Sequence, residues 1–184
     1  SNINNFMNIK LTIYNANSNR NGDIKIEFGN QINYGLFPKP NFSSKSLSII
    51  HNQKKLANSQ NTKIYISFKN FFNLKNLKIK DLVIDKIEFN TNSKNINFFS
   101  EVLNSFDSSN KVLLKNGNLF YKDNKEDVVF LLKIKDLIFL RDKKNPINIM
   151  KSNFEIFNIP FKFDVKKDMI TKEIFSSLSS KKIR

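Results

Sequence analysis

Apolar and polar residues alternate along most of this chain. Ile9, Leu11 and Ile13 are separated by Lys10 and Thr12, and Ile24, Ile26 and Phe28 by Lys25 and Glu27. Ile32, Tyr34 and Leu36 follow, then Leu47 and Ile49, and then Ile64, Ile66 and Phe68 between Lys63, Ser67 and Lys69. A period of two sends successive side chains to opposite faces of an extended backbone, so each stretch reads as a strand with one apolar face. From Val128 the even positions Val128, Phe130, Leu132 and Ile134 line one face, while the odd ones change from Val129 and Leu131 to Lys133 and Lys135. Phe161, Phe163 and Val165, separated by Lys162 and Asp164, close the series.

One strand pattern occurs twice. LKIKDLVI at 77–84 returns as LKIKDLIF at 132–139, with the two differing positions still apolar. Each copy alternates, shifts phase at Lys-Asp, and resumes, which is what an extra residue in a strand produces. A bulge or bend is therefore expected at Asp81 and at Asp136. The first copy runs on through Ile87 and Phe89, giving a five-residue step between apolar pairs. That step also suits a short-turn solenoid, but the corner glycines such coils use are missing.

Elements between the strands are fewer. Phe99, Val102, Leu103 and Phe106 fall at i, i+3, i+4 and i+7 behind Asn97, which predicts a short amphipathic helix over 97–106. So short a helix must dock on a sheet to persist. Gly29-Asn30 permits a tight reversal, Gln53 to Asn61 reads as a polar turn or short helix, and Asn116-Gly117-Asn118 marks a bulge or bend. Phe37-Pro38-Lys39-Pro40 reads as a rigid extended crossing or a sheet edge, because proline lacks the N–H that a ladder needs. Pro146 marks another crossing.

The 184 residues suffice for one domain, or for one module of a longer chain. There is no cysteine, hence no disulfide framework and no thiolate metal site. The formal charge is +15, but only Arg20, Arg141 and Arg184 of the 31 basic residues are arginine. Lysine, asparagine, isoleucine and phenylalanine are the residues of A- and T-rich codons, and base readout favours arginine, so this charge argues against a nucleic-acid role. It is compatible with an anionic membrane surface. No apolar run approaches the roughly 20 residues of a membrane span.

Catalytic patterns are absent. There is no Gly-rich phosphate loop, no GxSxG, no HExxH, and His51 stands alone as an incidental histidine. Asp81, Asp85, Asp123, Asp127, Asp136 and Asp142 are dispersed and mostly adjoin lysine, as on solvated strand faces. No enzyme, cofactor or metal is expected. The abundant feature is apolar strand face. Each buried Leu, Ile or Phe stabilises by roughly 1.5–3 kcal/mol, so that face needs a cover. One helix is too little for a sheet of many strands. What remains is a sheet curling on itself, closed as a sandwich without a ligand or open as a trough.

In its order of motifs the chain resembles the AsmA/TamB group of bacterial envelope proteins, relatives of chorein-type bridge-like lipid-transfer proteins. The series is Phe37-Pro38-Lys39-Pro40-Asn41-Phe42, then Lys55-Leu56-Ala57-Asn58 before Ile64–Phe68, then the strand Leu77 to Phe89. After these come the amphipathic segment NFFSEVLNSF, a strand–turn–strand VLLKNGNLFYKD through Gly117, and Asn158-Ile159-Pro160-Phe161-Lys162-Phe163. Each motif is degenerate, and the likeness lies in the order, over about residues 30–170.

That resemblance implies a mainly β fold, a curled antiparallel sheet forming an open apolar groove with one or two short helices. It implies carriage of phospholipid acyl chains in the periplasm, supporting outer-membrane assembly, in a protein anchored to the inner membrane by a segment outside this sequence. Residues 1–184 would be a single groove module, with phospholipid or another acyl-chain lipid and the adjoining modules of the same chain as its partners. The candidate groove wall is Leu77, Ile79, Leu82 and Ile84 from the first repeat, Val128, Phe130, Leu132 and Ile134 from the second, and Phe161 and Phe163. The helix residues Phe99, Val102, Leu103 and Phe106 would cover one open end.

Overall fold

A computed structural model describes residues 11–12, 24–29, 31–67, 79–99, 111–141 and 145–180. The strands are β1 (Leu11–Thr12), β2 (Ile24–Phe28), β3 (Ile32–Gly35), β4 (Asn41–Ser44), β5 (Leu47–His51) and β6 (Lys54–Ile66). They continue as β7 (Ile79–Thr91), β8 (Lys111–Lys122), β9 (Val128–Arg141), β10 (Ile147–Ile156), β11 (Ile159–Asp168) and β12 (Ile174–Ser179). All twelve belong to one curled sheet in the order β1-β2-β5-β6-β7-β8-β9-β10-β11-β12, with β3 and β4 joined to the β6 side. β1 and β12 end the path without pairing to each other, so the sheet is open. Among the described residues no second sheet lies across it.

Among the described residues every ladder is antiparallel except one. β7 and β8 run parallel, Asp81↔Lys111 to Thr91↔Tyr121, and a parallel pair needs a crossover rather than a hairpin. Residues 92–110 supply it. The described part turns at 93–97 and enters a helix at Phe98–Phe99. The predicted helix positions Val102, Leu103 and Phe106 lie outside the described residues.

Several elements differ from expectation for local reasons. Of the Gln53–Asn61 run only Gln53 is in a turn, and Lys54–Asn61 is strand, because Leu56 and Ala57 are buried in the core and β6 pairs with both β5 and β7. Gly29 does not reverse β2 onto β3. β2 pairs with β5, and the Gly29 N–H donates to Ser46 O at 2.8 Å. The Pro-Lys-Pro segment is the turn of the β3–β4 hairpin, with a cis Phe37–Pro38 bond, rather than an extended crossing. VLLKNGNLFYKD is one continuous strand, β8 with Asp123 just past its end, and not two. Around Pro146 the chain makes a hairpin connection between β9 and β10. Two-residue turns at Asn52-Gln53 (φ 51° and 63°) and Phe157-Asn158 (φ 51° and 62°) have the doubly positive φ that matches strand twist in tight hairpins.

A line of kinks crosses the sheet. In β6 to β9 two consecutive outward residues separate buried ones three apart: Ser59/Thr62, Ile84/Ile87, Leu114/Gly117 and Ile134/Leu137. The intervening pairs are Gln60-Asn61, Asp85-Lys86, Lys115-Asn116 and Lys135-Asp136. They are level, through Asn61↔Asp85, Asp85↔Lys115 and Lys115↔Asp136. Lys86 and Asn116 take φ of 53° and 50°. Side chains satisfy the disturbed ladder. Ser59 Oγ donates to Asp85 O at 2.8 Å, Asn116 Nδ2 to Asp85 Oδ1 at 2.8 Å, and Ser152 Oγ to Asp136 O at 3.1 Å. Asn153 Nδ2 adds a bond to Asp136 Oδ1 at 2.9 Å.

Residues 79–84 of the first copy lie in β7 and the whole second copy lies in β9, and these strands run in opposite directions because β7 is parallel and β9 antiparallel to β8. In both copies the register shifts by one residue at the lysine before the aspartate. Tyr65↔Asp81 is followed by Ile66↔Ile79, which skips Lys80, and Asn153↔Asp136 by Phe154↔Ile134, which skips Lys135. Local conformation therefore repeats. The level in the sheet does not: Asp136 is level with Asp85, not with Asp81.

Candidate functional site

The inner face of the sheet is best followed along a row perpendicular to the strands. Thr62, Ile84, Leu114, Leu137, Ser152, Phe163 and Leu178 are successive ladder partners from β6 to β12. Their exposure is 1% at Thr62, 2% at Ile84, 4% at Leu114, 6% at Leu137 and 5% at Ser152, but 61% at Leu178. A second row behaves alike: Ala57, Phe89 and Leu119 are buried, whereas Leu132, Ile156 and Ile159 are half-buried. The curl is closed around β5 to β8 and opens toward β12.

The crossover closes the curl at the β7 end. Phe98 is buried with its ring edge-on to His51 at 5.5 Å, and Phe99 lies 5.3 Å from Phe89 and 5.4 Å from Phe98. Aromatic contacts at these spacings contribute beyond the area they bury. His51 is thus a buried inner-face residue packed under the crossover.

Between that plug and β12 lies a trough of about 380 Å³. Its wall is Leu119 from β8, Leu132, Ile134 and Leu137 from β9, Met150, Ser152 and Phe154 from β10, Phe163 from β11 and Leu178 from β12, with Ile96 and Phe99 at the crossover. Among the described residues Ser152 is the one polar side chain in this wall, and its hydroxyl is engaged with Asp136 O. Among the described residues no charged side chain lines the trough. A surface of this kind can hold hydrocarbon and has nothing with which to orient a polar metabolite.

Of the sequence-derived candidates, Leu132, Ile134, Phe163 and Phe99 meet in this wall. Ile84 and Leu82 belong to or pack against the closed core, and Ile84 is too buried to touch a ligand. Phe130 stacks on Tyr121 at 4.9 Å, and Phe161 on Phe154 at 5.6 Å, both on the inner face beside the trough. Val128 is more than half exposed at the end of β9. Ile79 begins β7, and Leu77 lies outside the described residues. The pattern missed Met150, Ser152 and Phe154, whose alternation is there to read in INIMKSNFEI. Leu178 was hidden in a serine-rich stretch.

The outer face is different in kind. Lys63, Lys115, Lys133, Lys135, Lys151 and Lys162 are exposed there, with ion pairs Lys133–Glu155 at 3.8 Å and Lys162–Asp164 at 3.5 Å. Such exposed pairs add little stability but keep an open sheet in solution. A smaller hollow of about 190 Å³ on this side is lined by Lys39, Lys111 and Asp81 as well as apolar groups. Among the described residues no group of acidic, histidine or cysteine side chains is placed to hold a metal, and no helix is long and apolar enough to cross a membrane.

The chain matches no family model and no curated protein. The likeness to the AsmA/TamB group therefore rests on the motif series alone.

Proposed function

We propose that the chain is a non-enzymatic acyl-chain-binding module, which holds the hydrocarbon of a lipid along the trough between β8 and β12. The observation that carries this reading is the graded opening of a mainly apolar inner face. Leu132, Phe154, Phe163 and Leu178 extend the core's rows toward solvent with no strand or helix above them among the described residues. Leaving several large apolar side chains half-wetted forgoes roughly 1.5–3 kcal/mol each, and an apolar guest recovers part of it. A ligand-free sandwich would need a second layer over this face. The motif series supports placing such a module in a longer phospholipid-carrying protein of the bacterial envelope, acting in the periplasm in outer-membrane assembly.

The test is native mass spectrometry of the purified chain with lipid extraction. Co-purifying lipid is expected, and Leu132→Lys and Phe154→Glu should lower its stoichiometry severalfold while far-UV circular dichroism stays the same. A delipidated protein that keeps its spectrum and takes up no lipid of any class would defeat the reading.

A further inference from the structure

We infer that the trough takes one unbranched acyl chain, of a fatty acid or a single-chain phospholipid, and selects it by length rather than by headgroup. This rests on the acyl-chain reading above and narrows it. Two dimensions of the trough give similar lengths. At about 30 Å³ for a group the size of a water molecule, a volume of about 380 Å³ accommodates about a dozen methylenes. The wall runs from β8 to β12, four inter-strand steps of about 4.8 Å or roughly 19 Å. A methylene advances an extended chain by about 1.25 Å, from a C–C bond of about 1.5 Å, so that length takes about fifteen carbons. A two-chain lipid carries twice the hydrocarbon, and its second chain would lie outside.

The ends set the direction. Ile96 and Phe99 stand at the β7 side of the trough, and Phe99 is braced by Phe89 and by buried Phe98. This end is blind. At the other end Leu178 and Ile174 on β12 are mostly exposed. The methyl terminus therefore abuts Phe99 and the headgroup emerges past β12. With Ser152 the only polar side chain in the wall among the described residues, headgroup chemistry is not read inside, while the overall +15 charge favours an anionic one.

The experiment is displacement of a fluorescent single-chain fatty acid from the delipidated chain by unbranched fatty acids of increasing length. It is repeated with a lysophospholipid and a two-chain phospholipid of the same chain. Affinity should rise by at most about fourfold per added methylene, level off near the length estimated above, and be within threefold for fatty acid and lysophospholipid. The two-chain lipid should compete at least tenfold less well. Phe99→Ala should move the plateau to longer chains by about three carbons. If it unfolds by circular dichroism, Ile96→Ala should give a smaller shift in the same direction. A two-chain lipid that binds as well as its single-chain counterpart, or a plateau that stays put in a folded variant, overturns the single-chain assignment and leaves acyl-chain binding standing. No displacement by any chain overturns both.

Discussion

Gly117 occupies the inside of the kink line, where a Cβ would meet Ile87 Cγ2 at 2.9 Å and Ile87 O at 3.2 Å. Ile87 itself is fully buried. The contact is close because the strand turns inward twice within four residues, at Leu114 and Gly117, and brings β8 down on β7. A branched side chain has no room there, so Gly117→Val should destabilise the fold by roughly 1–3 kcal/mol, read as a lower urea midpoint at unchanged slope. The polar side of the same line gives a second test. Ser59 is buried and its hydroxyl serves Asp85 O, so Ser59→Ala should cost about 1–2 kcal/mol. Asn153→Ala removes an exposed bond to Asp136 and should cost under about 0.5 kcal/mol. Equal losses from the two would mean that the kink carbonyls do not depend on their side-chain partners.

At the scale of the element, the tight turns carry strain that can be relieved. Phe157 has φ 51° and is 78% exposed, so it occupies left-handed backbone without burying its ring. Asparagine tolerates that conformation better, and Phe157→Asn should raise stability by about 0.5–1 kcal/mol, visible as a higher melting temperature. A lower melting temperature would show that the ring contributes more than the turn costs. The repeated octamer shows how far such a pattern can be read. The phase shift at Lys-Asp marks a one-residue register change in both copies, and that much is local, fixed by which residues are apolar. The level of each copy in the sheet depends on strand direction, which the crossover at 92–110 sets, and no periodicity announces a parallel pair.

For the whole molecule, the mainly β curled sheet was legible because the alternation repeats over many strands while only one helical period occurs, but the alternation left sandwich and trough both possible. The β2–β5 pairing and the strand character of Lys54–Asn61 were not. Polar residues such as Ser59 and Thr62 face inward there, and only the neighbouring strands make those positions buried. The trough was legible in part: Leu132, Ile134 and Phe163 belong to clean alternations, whereas Ile84 has the same pattern and ends in the closed core. Alternation reveals which face is inward but not where a curl opens. That is decided by distance along the sheet from the crossover, and the exposure of successive partners from Ile84 to Leu178 records it.

The central claim is that this opening is where hydrocarbon sits. The most direct measurement is photocrosslinking with a fatty acid of about fifteen carbons bearing a mid-chain diazirine, followed by mass-spectrometric mapping of the labelled residues. Labelling should be competed by unlabelled fatty acid and should fall on inward residues of β9 to β12, among them Leu132, Phe154, Phe163 and Leu178. Saturable labelling confined to outward neighbours such as Leu131, Lys133 and Lys162, or labelling that competitor does not reduce, would contradict it.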